Sequence, residues 1–248
     1  MNKRTPLIAF LTTFVMPAII CLTFFACKHT GQSGYNEITG ATFSANGEFL
    51  WFLDRSVKGQ LNLYSYELCT KKVSKGVAIP QSGQNPVTII SCPDKPGGIC
   101  VATGKYIFAC TNTKNKGGSP ACEKLSIPLE SGQLIQGAAA VIENQKPKWY
   151  FLVREGEYGW MLAGLFHDNE WVETARGIEG PFSPKTFWLA ETDGDPEPEI
   201  WLEVYKTTVF YPEPENRPWL YDVTEDGFQK KWQGSRLQHP FTAIVPCP

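Results

Sequence analysis

ETDGDPEPEIWLEVY, residues Glu191–Tyr205, sets an acidic turn directly before a strand in which Trp201, Glu203 and Tyr205 alternate with Leu202 and Val204. Alternation of period two separates the two faces of a β-strand. Four β-segments read around it, at Thr186–Ala190, Ile200–Thr207, Pro218–Val223 and Phe228–Gln233. Each is rich in aromatic or β-branched residues and is bounded by Gly, Pro, Asp or Asn. The stretch Pro181–Gly234 therefore reads as one four-stranded antiparallel sheet.

The same unit recurs upstream. Gln133–Gly177 gives strands at Gly137–Ile142, Lys148–Arg154, Tyr158–His167 and Glu170–Ala175, joined by short polar turns. Ile38–Lys75 opens with a hairpin at Asn46-Gly47, a pair suited to a turn that needs positive φ. It continues through Phe49–Leu53 and a Gly59 turn to Leu61, Leu63 and Ser65, which face away from Asn62, Tyr64 and Tyr66; a fourth strand follows Cys69. Gly76–Pro128 shows Val87–Ser91, Ile99–Ala102 and Tyr106–Cys110, then a polar insert at Thr111–Ala121 where Lys114 and Lys116, with Lys124 beyond, read as a solvated loop. Four-stranded units spaced by about 40–50 residues are the pattern of propeller blades. The expectation is an all-β, β-propeller-like fold of about four four-stranded antiparallel blades; a partial or open propeller and a β-sandwich-like stack are the alternatives. Phe241–Val245 begins a further strand that would close the ring on the first sheet, pinned by Cys247.

Composition points to location more than to activity. The chain has 8 Trp, 9 Tyr and 15 Phe, with 22 Gly and 19 Pro, as strands cut by many turns require. A net charge of −2 argues against a nucleic-acid partner, which asks for a basic face. Lys3 and Arg4 precede an uncharged stretch, Leu7–Ala26, which ends Phe24-Phe25-Ala26-Cys27. A small residue before a Cys at the end of such a run resembles a bacterial lipoprotein signal, with Phe24 standing where that family usually has Leu. The resemblance implies cleavage and lipidation at Cys27. An uncleaved membrane anchor and a simple secretory peptide are the alternatives, and all three export the domain. Residues 1–27 are then signal or anchor, 28–37 a polar tether and 38–248 the domain. The expected location is the bacterial cell envelope, membrane-anchored and exported to the periplasmic face or cell surface. Beyond Cys21 and Cys27 six of the eight cysteines remain, Cys69, Cys92, Cys100, Cys110, Cys122 and Cys247, and suit up to three disulfides in an oxidising compartment. Four lie between 92 and 122, where the apolar pattern is weakest, so bridges would hold a region that buries little. No CxxC or HxxxH is present to bind zinc.

Phe43-Ser44-Ala45-Asn46-Gly47-Glu48 and Leu61–Leu68 resemble the propeller repeat of the Tol-associated periplasmic protein, over about one blade. Glu191, Asp193, Asp195 and Glu199, followed by Ile200-Trp201-Leu202, resemble the calcium loop of FG-GAP and VCBS-type propeller repeats. That resemblance implies a structural Ca²⁺ held by these four residues, since hard oxygens on alternate positions of a tight loop converge on one point. Glu191 stands for the usual Asp and Pro196 for a Gly; an exposed Asp-Gly turn with solvated acids is the other reading. Trp232 and Arg236, in KWQGSRL, resemble a run found in exported FG-GAP-like proteins, and could line a ligand face or pack a blade and tie a turn. Nucleophilic catalysis finds no support: G-x-S-x-G is absent, and His167 and Asp168, as strand neighbours, are expected on opposite faces. No catalytic residue is assigned. The functional expectation is an envelope lipoprotein that binds or scaffolds a protein or glycan, attached to the membrane by lipid or anchor. An envelope hydrolase acting on glycan or lipid, and a structural subunit of an envelope complex, are the alternatives.

Overall fold

The computed structural model describes residues 37–56, 58–80, 87–92, 95, 97–112, 119–194, 198–224 and 226–234. Cys27, Asp195, Arg236, Cys247 and the expected strand Phe241–Val245 lie outside the described residues. Four antiparallel sheets follow one another along the chain. The first contains β1 Glu37–Phe43, β2 Phe49–Arg55, β3 Leu61–Glu67, β4 Lys72–Val73 and β5 Val77–Ile79. β4 pairs with Tyr66–Glu67 and β5 with Leu61–Leu63, so the two short pieces are halves of one outer strand. The second sheet is β6 Val87–Ser91, β7 Ile99–Thr103, β8 Tyr106–Thr111 and β9 Ala121–Leu125. The third is β10 Leu134–Glu143, β11 Lys146–Glu155, β12 Tyr158–His167 and β13 Glu170–Pro181. The fourth is β14 Pro184–Ala190, β15 Glu199–Lys206, β16 Glu215–Thr224 and β17 Gly227–Gln233. Strand order within each sheet is the order in the chain, as in propeller blades.

Three apolar cores join consecutive sheets. Trp51, Leu53, Leu61 and Leu63 of the first meet Ile99, Val101 and Phe108 of the second. Ala102, Ile107 and Leu125 meet Ile135, Trp149 and Phe151 of the third. Leu152, Met161 and Ala163 meet Phe187, Ile200, Leu202 and Val204 of the fourth. Each fully buried side chain of this size contributes about 1.5–3 kcal/mol. The second sheet thus lies between two cores, and every residue of β7 is buried. This corrects the expectation of a weakly packed 92–122 region: a strand buried on both faces loses its alternation, so the pattern looked poor where packing is dense.

An even number of strands returns the chain to the rim it left, so every inner strand starts from one rim. Contacts between sheets agree. The amide of Ile135, at the start of β10, donates to the Gly104 carbonyl in the β7–β8 turn at 2.8 Å, and Ser183 N to the Glu157 carbonyl in the β11–β12 turn at 2.8 Å. This entry rim also carries the start of β1 and the β15–β16 loop. The opposite rim carries the Asn46-Gly47 turn, the Asn144-Gln145 turn and the acidic turn before β15. Asn144 and Gln145 have φ of 49° and 63° and close a two-residue hairpin that extends β10 and β11 beyond the expected strand ends.

Candidate functional site

The acidic turn joins β14 to β15, and its residues do not all converge. Glu191 folds back on the turn, its Oε1 accepting from the Gly194 amide. Glu199, expected in the turn, is instead the first residue of β15, paired with Ala190 and only 2 % exposed. Asp193 and Glu199 do come together, and Asp222 of β16 joins them. Sequence reasoning missed Asp222. Only the register shows it: Glu199 stands one position beyond the Ile200–Tyr221 pair and therefore opposes Asp222 on the neighbouring strand. Facing acids on neighbouring strands call for a cation between them.

Lys231 of β17 supplies that cation. Its Nζ donates to Asp193 Oδ2 at 2.7 Å, Asp222 Oδ1 at 2.8 Å and Glu199 Oε1 at 3.2 Å. The hydrogen bond to Asp193, then that to Asp222, holds the ammonium protonated far above the ordinary lysine range, against some desolvation. Glu199 is further satisfied by the Thr192 hydroxyl, which donates to Oε2 at 2.7 Å. An ammonium with three donors matches three carboxylates in charge-assisted bonds. While Lys231 stands among them these donors do not fit calcium, which needs six to eight oxygens around the point that Nζ takes.

On the other side of the fourth sheet, at the same rim, a cleft opens between the third and fourth sheets. One part, of about 480 Å³, is lined by Val141, Ile142, Tyr150, Glu191, Pro198 and Val223. A second, of about 420 Å³, continues past Glu143, Asn144 and Lys148 to Thr224 and Phe228. Lys148 Nζ donates to Glu143 Oε2 at 2.8 Å, and Ile142 is among the exposed large hydrophobics. The lining is mixed, apolar at Val141, Ile142 and Pro198 and polar at Glu143, Asn144, Lys148 and Thr224, and both volumes fall in the usual range of ligand sites.

The other residues singled out from the sequence are placed apart. Trp232 lies on outer strand β17, exposed, its ring over Gly234 and outside the cleft. His167 and Asp168 do meet, at 3.4 Å, because Asp168 is in a turn with φ of 49° rather than in the strand; both are exposed. Cys110 and Cys122 form a disulfide between β8 and β9. Cys92 and Cys100 lie buried with their sulfurs 2.7 Å apart, and Cys69 is exposed.

No family model matches the sequence, and no curated protein matches it. Among solved structures, the Dos1 propeller superposes with a TM-score of 0.54 and 13% identity, over 82% of this chain and 48% of that one. The chain spans about half the length of that propeller. The luciferin-regenerating enzyme matches with a TM-score of 0.42 and 11% identity, over 79% of this chain and 76% of that one. The first likeness agrees with the sheet order and the cores: the fold is of β-propeller type.

Proposed function

We propose that the protein is an exported, membrane-tethered envelope protein whose propeller-type domain binds a protein or glycan in the cleft between its third and fourth sheets. The cleft is the observation that carries the reading. Exposed Ile142, with Val141 and Pro198 half-buried beside it, offers apolar surface, while Asn144, Glu143 and Glu191 offer hydrogen-bonding groups at the mouth. The converging acids beside it are each hydrogen-bonded to Lys231, which suits a scaffold better than acid–base turnover, where a carboxyl must be left able to exchange its proton. Propellers are scaffolds for many sites, so the cleft rather than the fold argues for binding. Export is supported by the uncharged Leu7–Ala26 stretch ending at Cys27, and by a disulfide in the second sheet. A divalent cation at Asp193, Glu199 and Asp222 would have to displace Lys231.

Two measurements on the full chain test this. The intact mass of membrane-extracted protein is expected to show a chain beginning at lipidated Cys27. Retention of Met1 with every cysteine open to alkylation in denaturant without reductant overturns the exported reading. In-cell cross-linking from the cleft is expected to give one recurrent adduct, lost in the Ile142→Asp, Asn144→Ala double variant. An adduct indifferent to those changes sinks the binding reading.

A further inference from the structure

The β15–β16 loop carries apolar side chains where turns usually carry polar ones. Val209 is 96 % exposed and Phe210 81 %. They are held outward by a closed turn: Thr208 N donates to the Tyr211 carbonyl at 2.9 Å, and Tyr211 N to the Thr208 carbonyl at 3.2 Å. Beneath it the buried Arg217 grips both stems, Nε donating to the Lys206 carbonyl at 2.8 Å and Nη2 to the Glu213 carbonyl at 3.3 Å. The apolar tip is therefore fixed by the fold, with little ordering left to do on binding.

This loop is on the entry rim. Of the exposed large hydrophobic side chains among the described residues, most stand on that rim: Ile38, Tyr158, Tyr205, Val209, Phe210 and Tyr211. Lysines stand with them. Lys185 Nζ lies 5.0 Å from the Tyr205 ring and Lys206 Nζ 5.1 Å from the Trp219 ring. Lys58 and Lys105 occupy the matching loops of the first and second sheets, with Glu157 and Glu213 also on the rim. Exposed apolar tips, tyrosines and lysines together are the composition of a surface that meets lipid headgroups.

The way the chain enters favours lipid over another protein. β1 starts from this rim at Glu37, ten residues after Cys27. Ten residues reach at most about 35 Å, so a tether from Cys27 attaches at this rim and holds it within that distance of the membrane. We infer that the entry rim docks on the bilayer to which the chain is tethered, with Val209 and Phe210 inserted at the headgroup–acyl boundary and the tyrosines beside them. The inference rests on the tethered reading above. Docking would turn the cleft, on the opposite rim, away from the membrane.

The test uses the full chain in vesicles of phosphatidylethanolamine and phosphatidylglycerol that contain a phospholipid with a photoactivatable acyl chain. After illumination, lipid adducts are mapped by mass spectrometry. Adducts are expected on the peptide holding Val209–Phe210 as well as on the N-terminal segment. The Val209→Ser, Phe210→Ser double variant should keep its melting temperature and lose the loop adducts about tenfold or more, since two buried apolar side chains exceed that factor. N-terminal adducts with none on the loop overturn this inference and leave the tether standing. Loop adducts without N-terminal ones overturn the tether and leave the docking surface. A protein cross-linked to the loop in whole envelopes, in place of lipid, also overturns it.

Discussion

Lys231 shows how one side chain can decide the chemistry of a turn. Its three carboxylate partners come from the acidic turn, β15 and β16, so the ammonium ties three elements of the fourth sheet together. The melting temperature of the native chain is expected to be the same in calcium and in a chelator. In Lys231→Ser it should fall in chelator and recover with calcium, because three acids would then face each other without their cation. A calcium-dependent rise in the native chain would show that the ion displaces the lysine. Among the described residues, three groups contribute to the alkaline limit. Lys231 is raised chiefly by its hydrogen bond to Asp193, Tyr221 by burial, against the Gln233 hydrogen bond, and Tyr64 by burial and then by Asp54. Up to about pH 9 all three are protonated in folded and unfolded chains alike and add no slope. Above about pH 10 the unfolded chain releases protons that the folded chain keeps, so stability declines. Thermal melts across that range are expected to show the decline, and Tyr221→Phe should make it shallower.

At the scale of elements, the second sheet was the hardest to read and is the most enclosed. Its alternation failed because Ile99 and Val101 face the first sheet while Cys100 and Ala102 face the third, so apolar residues run without interruption. The third and fourth sheets were legible because their strands are longer and most are bounded by clear turn residues, as at Asn144-Gln145 and Asp168-Asn169. Within the fourth, the acidic turn was visible as a cluster of charges, but its partner was not, since Lys231 is thirty-two residues beyond Glu199 and only the strand register brings them together. The cleft was invisible in the sequence because it is made by Ile142 and Val223 from different sheets. Two outcomes follow for these elements. Reducing the Cys110–Cys122 bond, which closes a short loop, is expected to cost about 3 kcal/mol in denaturant unfolding. Alkylation of the native chain should label Cys69 ahead of Cys92 and Cys100, because burial keeps thiols unreactive. In the third sheet Trp149 stacks on Phe151 and meets Phe166 edge-on. Trp149→Ala should cost about 3–5 kcal/mol by the same unfolding measurement.

For the whole molecule, the cores form a series in which each sheet packs on its neighbours in the chain. Stability in such an arrangement is set by nearest-neighbour interfaces. Hydrogen exchange is expected to be slowest in β7 and β11, which lie in the middle of the series, and faster in β4 and β13, with their exposed or irregular backbone. Uniform protection across all four sheets would mean a single cooperative unit instead. The two rims have different characters, one with a cleft and converged charges, the other with apolar tips and the chain's point of entry. The charge cluster also bears on the surroundings in which the domain can work. A dissolved ion occupies a site according to its concentration, which outside a cell follows the medium. An ammonium attached to β17 is presented to its carboxylates at an effective concentration fixed by the fold. Dilution cannot lower it and a chelator cannot withdraw it, so the turn would stay closed in media that strip calcium-built loops of their ion.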